Sequence, residues 1–225
     1  MLRLKKSEWM IIGGLLFLSL VPCVGGVIRL IELHGGPELM PHNPRVRSAP
    51  TPVIIHLLGS IPYCVIGILQ FLPTVRNAYP VWHRRSGRIL IVLGLLSAVS
   101  GLWMTHFYGF PEELQGPLLY WVRIFVGTGM IVSIALGLSA VLKKKISEHK
   151  KWMLRAYALG QGAGTQVFVA LPWILTVGEP SGLTRDILMT LAWVINLFVV
   201  QLSIRRSRKA DLPTNKRLHQ KTLVY

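Results

Sequence analysis

The chain has 225 residues, of which 52% are hydrophobic and 15% charged, against the ~25% charged residues usual for soluble domains. A formal net charge of +16 would suit a nucleic-acid binder, but the cations sit in blocks between long apolar stretches, which points to a membrane surface and no nucleic acid. No serine-nucleophile, metal-helix or phosphate-loop motif is present, so soluble-enzyme chemistries have no foothold.

Six apolar stretches follow one another at 9–31, 52–73, 88–108, 117–142, 154–177 and 184–204. Each runs for about twenty residues, which at ~1.5 Å rise spans a ~30 Å hydrocarbon core. The expected fold is all-α, a single transmembrane bundle of six helices over 1–204, with no internal repeat. Residues 205–225 are basic and polar, with Pro213 and no apolar period; they predict a disordered tail held to anionic lipid.

Charge placement orients the bundle. Arg3, Lys5 and Lys6 precede the first stretch, and Arg76, Arg84, Arg85 and Arg88 lie between the second and third. Lys143, Lys144, Lys145, Lys150, Lys151 and Arg155 lie between the fourth and fifth, and seven more cations follow Ile204. Only Arg29, Arg45, Arg47, Arg123 and Arg185 remain for the other side. The positive-inside rule then places both termini in the cytoplasm and the protein in the inner plasma membrane.

Taken in chain order, the first stretch continues to Ile31, longer than the 7–15-residue core of a signal peptide. Pro22 stands where a lipoprotein box needs a small flexible residue before Cys23, which argues against lipidation. Cys23 and Cys64 differ in expected depth by about 8 Å, beyond disulfide reach in straight helices; both are expected to be inert core residues. The loop 32–51 carries Glu32, His34, Glu38 and His42, whose spacing matches no tight metal-ligand pattern. Small residues on the third (Gly87, Gly94, Ala98, Gly101), fourth (Gly129, Ser133, Gly137) and fifth stretches (Ala156, Gly160, Gly164) predict that these three helices form the tight centre. Trp103, Tyr108, Tyr120, Trp121 and Trp173 fall where an interfacial aromatic belt is expected. Arg123, ~9 Å inside the fourth stretch, is expected to reach outward to Glu112 or Glu113. Gln161, Gln166 and Asn196 suit either a polar cavity or interhelical hydrogen bonds.

Two strings at the basic edge stand out: His83-Arg84-Arg85-Ser86-Gly87-Arg88 and His149-Lys150-Lys151-Trp152-Met153-Leu154-Arg155. With His56 on the second stretch and Gln70-Phe71 at its end, these resemble a family of bacterial six-helix predicted membrane proteins of unknown function. That family carries H-R-x-x-G-R and H-x-x-W-M-x-R at matching helix boundaries. The resemblance covers roughly residues 50–175. A weaker likeness runs to diheme transmembrane cytochromes and ferric-reductase bundles.

The residues themselves allow a haem b reading. His83 and His149 lie at one membrane face beside glycine-rich helices, with Arg84, Arg88 and Arg155 near enough in sequence to pair with propionates. His56 and His106 would make a second, outer pair, and haem iron through His83, His149 or His56 is the one metal expected. Against this, His83 and His106 stand about 35 Å apart along one helix, farther than paired diheme ligands require. A structural helix-start role, or a site for a lipid, quinone or small solute, fits the same residues.

Overall fold

The structure is a computed structural model that describes residues 3–210; the predicted tail beyond Ala210 lies outside the described residues. All regular structure among these is helical: α1 (Lys6–Leu33), α2 (Pro44–Ser48), α3 (Pro50–Gln70), α4 (Pro73–Ala78), α5 (Pro80–Phe107), α6 (Pro117–Leu142), α7 (Ile146–Gly160), α8 (Gly162–Thr176) and α9 (Gly182–Ala210). By length and composition α1, α3, α5, α6 and α9 can each cross a membrane, and α8 is a shorter apolar helix.

Proline sets many of the helix starts. It occupies the opening turn of α2, α3, α4, α5 and α6, where its missing N–H has no intrahelical partner to lose and its φ is already helical. This is why α5 begins at Pro80 rather than at 88: hydropathy marks the apolar stretch, while Pro80 marks the helix. The string from His83 to Arg88 is therefore helical throughout. The fourth expected span coincides with α6. The last continues past 204 to Ala210.

The fifth span departs most from expectation. Instead of one helix over 154–177, the chain forms α7 and α8 with a break at Gln161, whose backbone has φ −78° and ψ 3°. A helix running straight on would engage the carbonyls of Ala158, Leu159 and Gly160 with the N–H groups four residues later. In apolar surroundings those carbonyls need other donors. Asn196 Nδ2 donates to Ala158 O at 3.1 Å, Trp193 Nε1 to Leu159 O at 3.1 Å, and Cys64 Sγ reaches Gly160 O at 3.7 Å. The break is thus held open by side chains from α9 and α3.

Packing runs α1–α3–α5–α6–α7, and α9 closes the ring against α6, α7 and α8, with α8 meeting α1. The core joins Tyr63 and Ile68 of α3, Leu90 and Ala98 of α5, Met130 and Ile134 of α6, and Ala156, Tyr157 and Leu159 of α7. The tight centre accordingly includes α3, which the sequence reading left out. Gly59 is the reason: a Cβ there would stand 2.6 Å from the Leu93 carbonyl oxygen, so backbone lies on backbone. At the basic end Glu8, 3% exposed, accepts from Thr74 N at 2.8 Å and Thr74 Oγ1 at 2.6 Å, tying α1 to α4. At the opposite end the loops pack down. Asp186, 1% exposed, accepts from Gly116 N at 3.1 Å and Leu119 N at 3.0 Å, and so caps α6 from the first turn of α9.

Candidate functional site

Away from the basic end the bundle is hollow. A cavity of about 420 Å³ runs from the helix break to the loops, lined by residues of α1, α3, α5, α6, α7, α8 and α9. That volume falls within the ~300–1,000 Å³ of small-molecule sites. Gly101 on α5, where a Cβ would meet only the His56 ring edge at 3.4 Å, keeps the wall back from the centre. The rest of the wall is mostly apolar, with a few placed polar groups, as ligand sites generally are.

Two of those groups have fixed hydrogen-bonding roles. His56 Nδ1 stands 2.9 Å from the Ser97 carbonyl oxygen. A carbonyl only accepts, so Nδ1 carries the proton and, in the neutral ring, Nε2 keeps its lone pair. Gln161, 4% exposed, donates from Nε2 to Ser19 Oγ at 2.9 Å. Ser19 sends its single proton to Leu15 O at 2.8 Å. The amide is thereby oriented, and its buried Oε1 has no partner among the described residues.

The loop end of the cavity carries cations. Arg123 donates to Gln115 Oε1 and lies 5.3 Å from the Phe110 ring centroid. Arg45 approaches the same ring to 5.2 Å, and its buried Nε has no partner among the described residues. The expected reach of Arg123 to Glu112 or Glu113 is replaced by an amide and an aromatic face, which shelter the guanidinium within the field of Asp186. Tyr108, expected in the aromatic belt, is instead buried and donates to Ala49 O at 2.7 Å, holding the loop over the cavity.

The family model described as Predicted membrane protein (DUF2306) matches residues 53–204. The chain belongs to that family. The match spans α3 through most of α9 and leaves out α1, which supplies Ser19, Pro22 and Cys23 to the cavity wall. No curated protein and no solved structure matches the chain.

Of the predicted site residues in this family member, His56 lines the cavity and the others lie elsewhere. Gln70 donates to Ser86 Oγ at 2.8 Å, joining α3 to α5. His83 and His149 share the basic end, and His83 stands in the field of Arg76, Arg84 and His149. The Nδ1–H of His149 donates to Gly137 O at 2.8 Å, while the buried Nδ1 of His83 has no partner among the described residues. Trp152 packs with Met153 on Gly137, and the Arg155 guanidinium lies 4.6 Å above its ring and donates to Gln201 Oε1 at 3.3 Å. Arg84 and Arg88 are exposed. His106 is also exposed, its Nδ1 3.0 Å from Tyr120 Oη; it does not share the cavity with His56.

The glycine faces that the haem reading used as room for a macrocycle are filled by protein. Tyr63 and Ile134 pack on Gly94, Trp152 and Met153 on Gly137, and Leu159 on Gly129. Among the described residues no three His, Cys, Asp or Glu side chains cluster as a metal site. At the end of α1, Glu32 accepts from Leu39 N at 2.7 Å and Met40 N at 2.6 Å and pairs with Arg29 at 2.8 Å.

Sequence reasoning left Gln161, Gln166 and Asn196 open between a polar cavity and interhelical hydrogen bonds; Gln161 and Gln166 line the cavity, while Asn196 props the break. The run Gly160-Gln161-Gly162-Ala163-Gly164 inside an apolar stretch was the available signal. Three alternating glycines leave a helix with little propensity of its own. Cys23 and Cys64, expected as inert filling, both reach the cavity wall as free thiols.

Proposed function

We propose that this membrane protein binds a small amphipathic molecule in its interior cavity, as a carrier or binding protein rather than a cytochrome. The observation that carries the reading is the break at Gln161, which places this buried residue in the wall of a cavity of about 420 Å³. Irregular backbone at membrane depth is tolerated where protein buries it or where it lines a cavity, and transporters place substrate at such breaks. The proposed topology is six passes, α7 and α8 together making the fifth, with the basic end in the cytoplasm of the inner membrane.

The test is whether the cavity is occupied in protein taken gently from membranes. Native mass spectrometry should find a bound small molecule, and Gly101→Leu, which fills the wall beside His56, should release it without lowering the melting temperature. A mass equal to the bare chain in both proteins overturns the reading.

The alternative, haem b on interfacial histidines, draws support from His83 and His149 sharing one end. A macrocycle between them requires α5, α6 and α7 to part, because side chains fill the glycine faces there. A visible spectrum decides: the cavity reading expects no Soret band, even after haem is supplied. A band lost in His83→Ala or His149→Ala establishes the cytochrome instead.

A further inference from the structure

Among the described residues the cavity wall carries a single Lys, Arg, Asp or Glu, and it is a cation. Arg123 lines the space with Phe110, Tyr108 and Asn43, and no acid shares the wall. Asp186 contributes a field from behind, but its carboxylate is already held by Gly116 N and Leu119 N. The ion pairs among the described residues belong to Arg29, Arg47 and Lys151, so Arg123 and Arg45 have none. Glu112, Glu113 and Glu179 are exposed. A cation inside a membrane-spanning helix is costly and ordinarily pairs or faces a cavity; Arg123 does the second without the first.

The guanidinium spends one nitrogen on the protein. Its Nη1 donates to Gln115 Oε1, which leaves Nε and Nη2, one parallel edge of the fork, without a partner among the described residues. That edge is not sealed off as Arg45 Nε is. Two parallel N–H groups match the two oxygens of a carboxylate. Asn43, also in the wall, adds a neutral donor: its Oδ1 caps α2 by accepting from Val46 N at 3.4 Å, which turns Nδ2 outward with no partner among the described residues. Arg45 adds positive field from the other contact on Phe110. Amides and hydroxyls elsewhere in the wall give or accept and bring no charge.

From this charge we infer that the cavity binds an apolar carboxylate, its head on the free edge of Arg123 and its body along Leu57, Ile61, Val126 and Met130 toward the break. The bound anion supplies the ion pair that Arg123 lacks within the protein. A neutral ester of the same acid fills the same space and leaves the cation unpaired. This rests on the proposed cavity binding and adds the charge and chemical class of the occupant. Such an acid reaches the site either from the bilayer, on a long tail, or from water, as a compact aromatic acid.

The experiment uses the full chain in phosphatidylcholine nanodiscs at mildly alkaline pH, where the acid is ionised. The probes are ω-bromododecanoate and its methyl ester. Bromine quenches tryptophan at contact, and Trp193 stands in the wall beside the break, so occupancy appears as saturable quenching above the linear background of probe dissolved in lipid. Hydrogen bonds to a charged group contribute roughly ten- to a hundred-fold in affinity, so the acid should bind at least about ten-fold more tightly than the ester. Asn43→Asp keeps a good cap and gives the loop end a resident carboxylate; it should weaken the acid about ten-fold and leave the ester unchanged. Arg123→Met should bring acid and ester together, and a ratio that survives in the folded variant overturns the role of Arg123. Displacement of the bromo acid by benzoate assigns a diffusible ligand, and no displacement assigns a membrane-resident one; either supports the inference. Equal binding of acid and ester to the unaltered protein overturns the charge preference while leaving cavity binding standing. Saturable quenching by neither overturns the two together. The comparison on the unaltered protein holds whether or not either variant folds.

Discussion

The two halves of the bundle meet the same solvent on the outside and differ on the inside. Toward the basic end large side chains stand on interhelical glycines: Tyr157 on Gly67, Tyr63 on Gly94, Met153 on Gly137. Toward the loops Gly101 has only the His56 ring edge, 3.4 Å from where its Cβ would be, and the space beyond stays open. Lipid gives helices no hydrophobic reason to associate, so contact area and hydrogen bonds hold the bundle together. The filled half supplies the contact. The hollow half relies on hydrogen bonds: Asp186 on α6, Asn196 and Trp193 on the break, Tyr108 on the loop.

A matched pair of substitutions breaks this comparison most directly. Gly94→Ala puts a methyl 2.7 Å from the Tyr63 ring and 3.1 Å from Ile134, and overpacking of that kind costs roughly 1–3 kcal/mol. Gly101→Ala meets no such wall and gains helix propensity of up to about 1 kcal/mol. Melting of the detergent-solubilised protein should fall for the first and hold or rise for the second. Equal losses would mean that the two halves are packed alike.

Next in size is the propped break. Asn196→Ala removes the donor to Ala158 O and the acceptor for Thr165 Oγ1, with an expected loss of about 1–2 kcal/mol. Amide exchange should rise over residues 158–164 and stay unchanged in α6. Uniform protection across both helices would show that the break needs no support from α9.

The smallest effect lies in the turn between α6 and α7. Lys144 adopts φ 59°, a left-handed conformation that costs a side chain about 1 kcal/mol and glycine almost nothing. Part of that gain is lost to the freer unfolded glycine. Lys144→Gly should stabilise by roughly 0.5 kcal/mol, seen as a small rise in melting temperature with no change in ligand binding.

Hydropathy made the helices legible, because it is a local property; the proline-led starts, equally local, went unread. Span lengths, charge blocks and the proline-led start of α6 all depend on residues close together in the chain. The break was harder to see. Its cause is partly local, in the glycines flanking Gln161, but its stability comes from Asn196, Trp193 and Cys64, which lie far away in sequence. Asp186 drew no notice as a lone acid near the start of the last helix; its partners at Gly116 and Leu119 appear only once α9 folds against α6.

The histidines divide the same way. A sequence sets His83 and His149 at one end by counting helical rise, and the structure keeps them there. Whether an imidazole faces a ligand or a neighbouring helix depends on rotation and on what fills the adjacent notch. His56 faces a cavity because Gly101 is opposite it, and His149 faces a carbonyl because Gly137 is. Composition and charge order therefore determined a helical membrane protein, and the two histidine strings carried its resemblance to this family. Tertiary packing alone decided which polar groups are free, since a hydrogen bond is unmade only when every neighbour in space, and not only in sequence, has been counted.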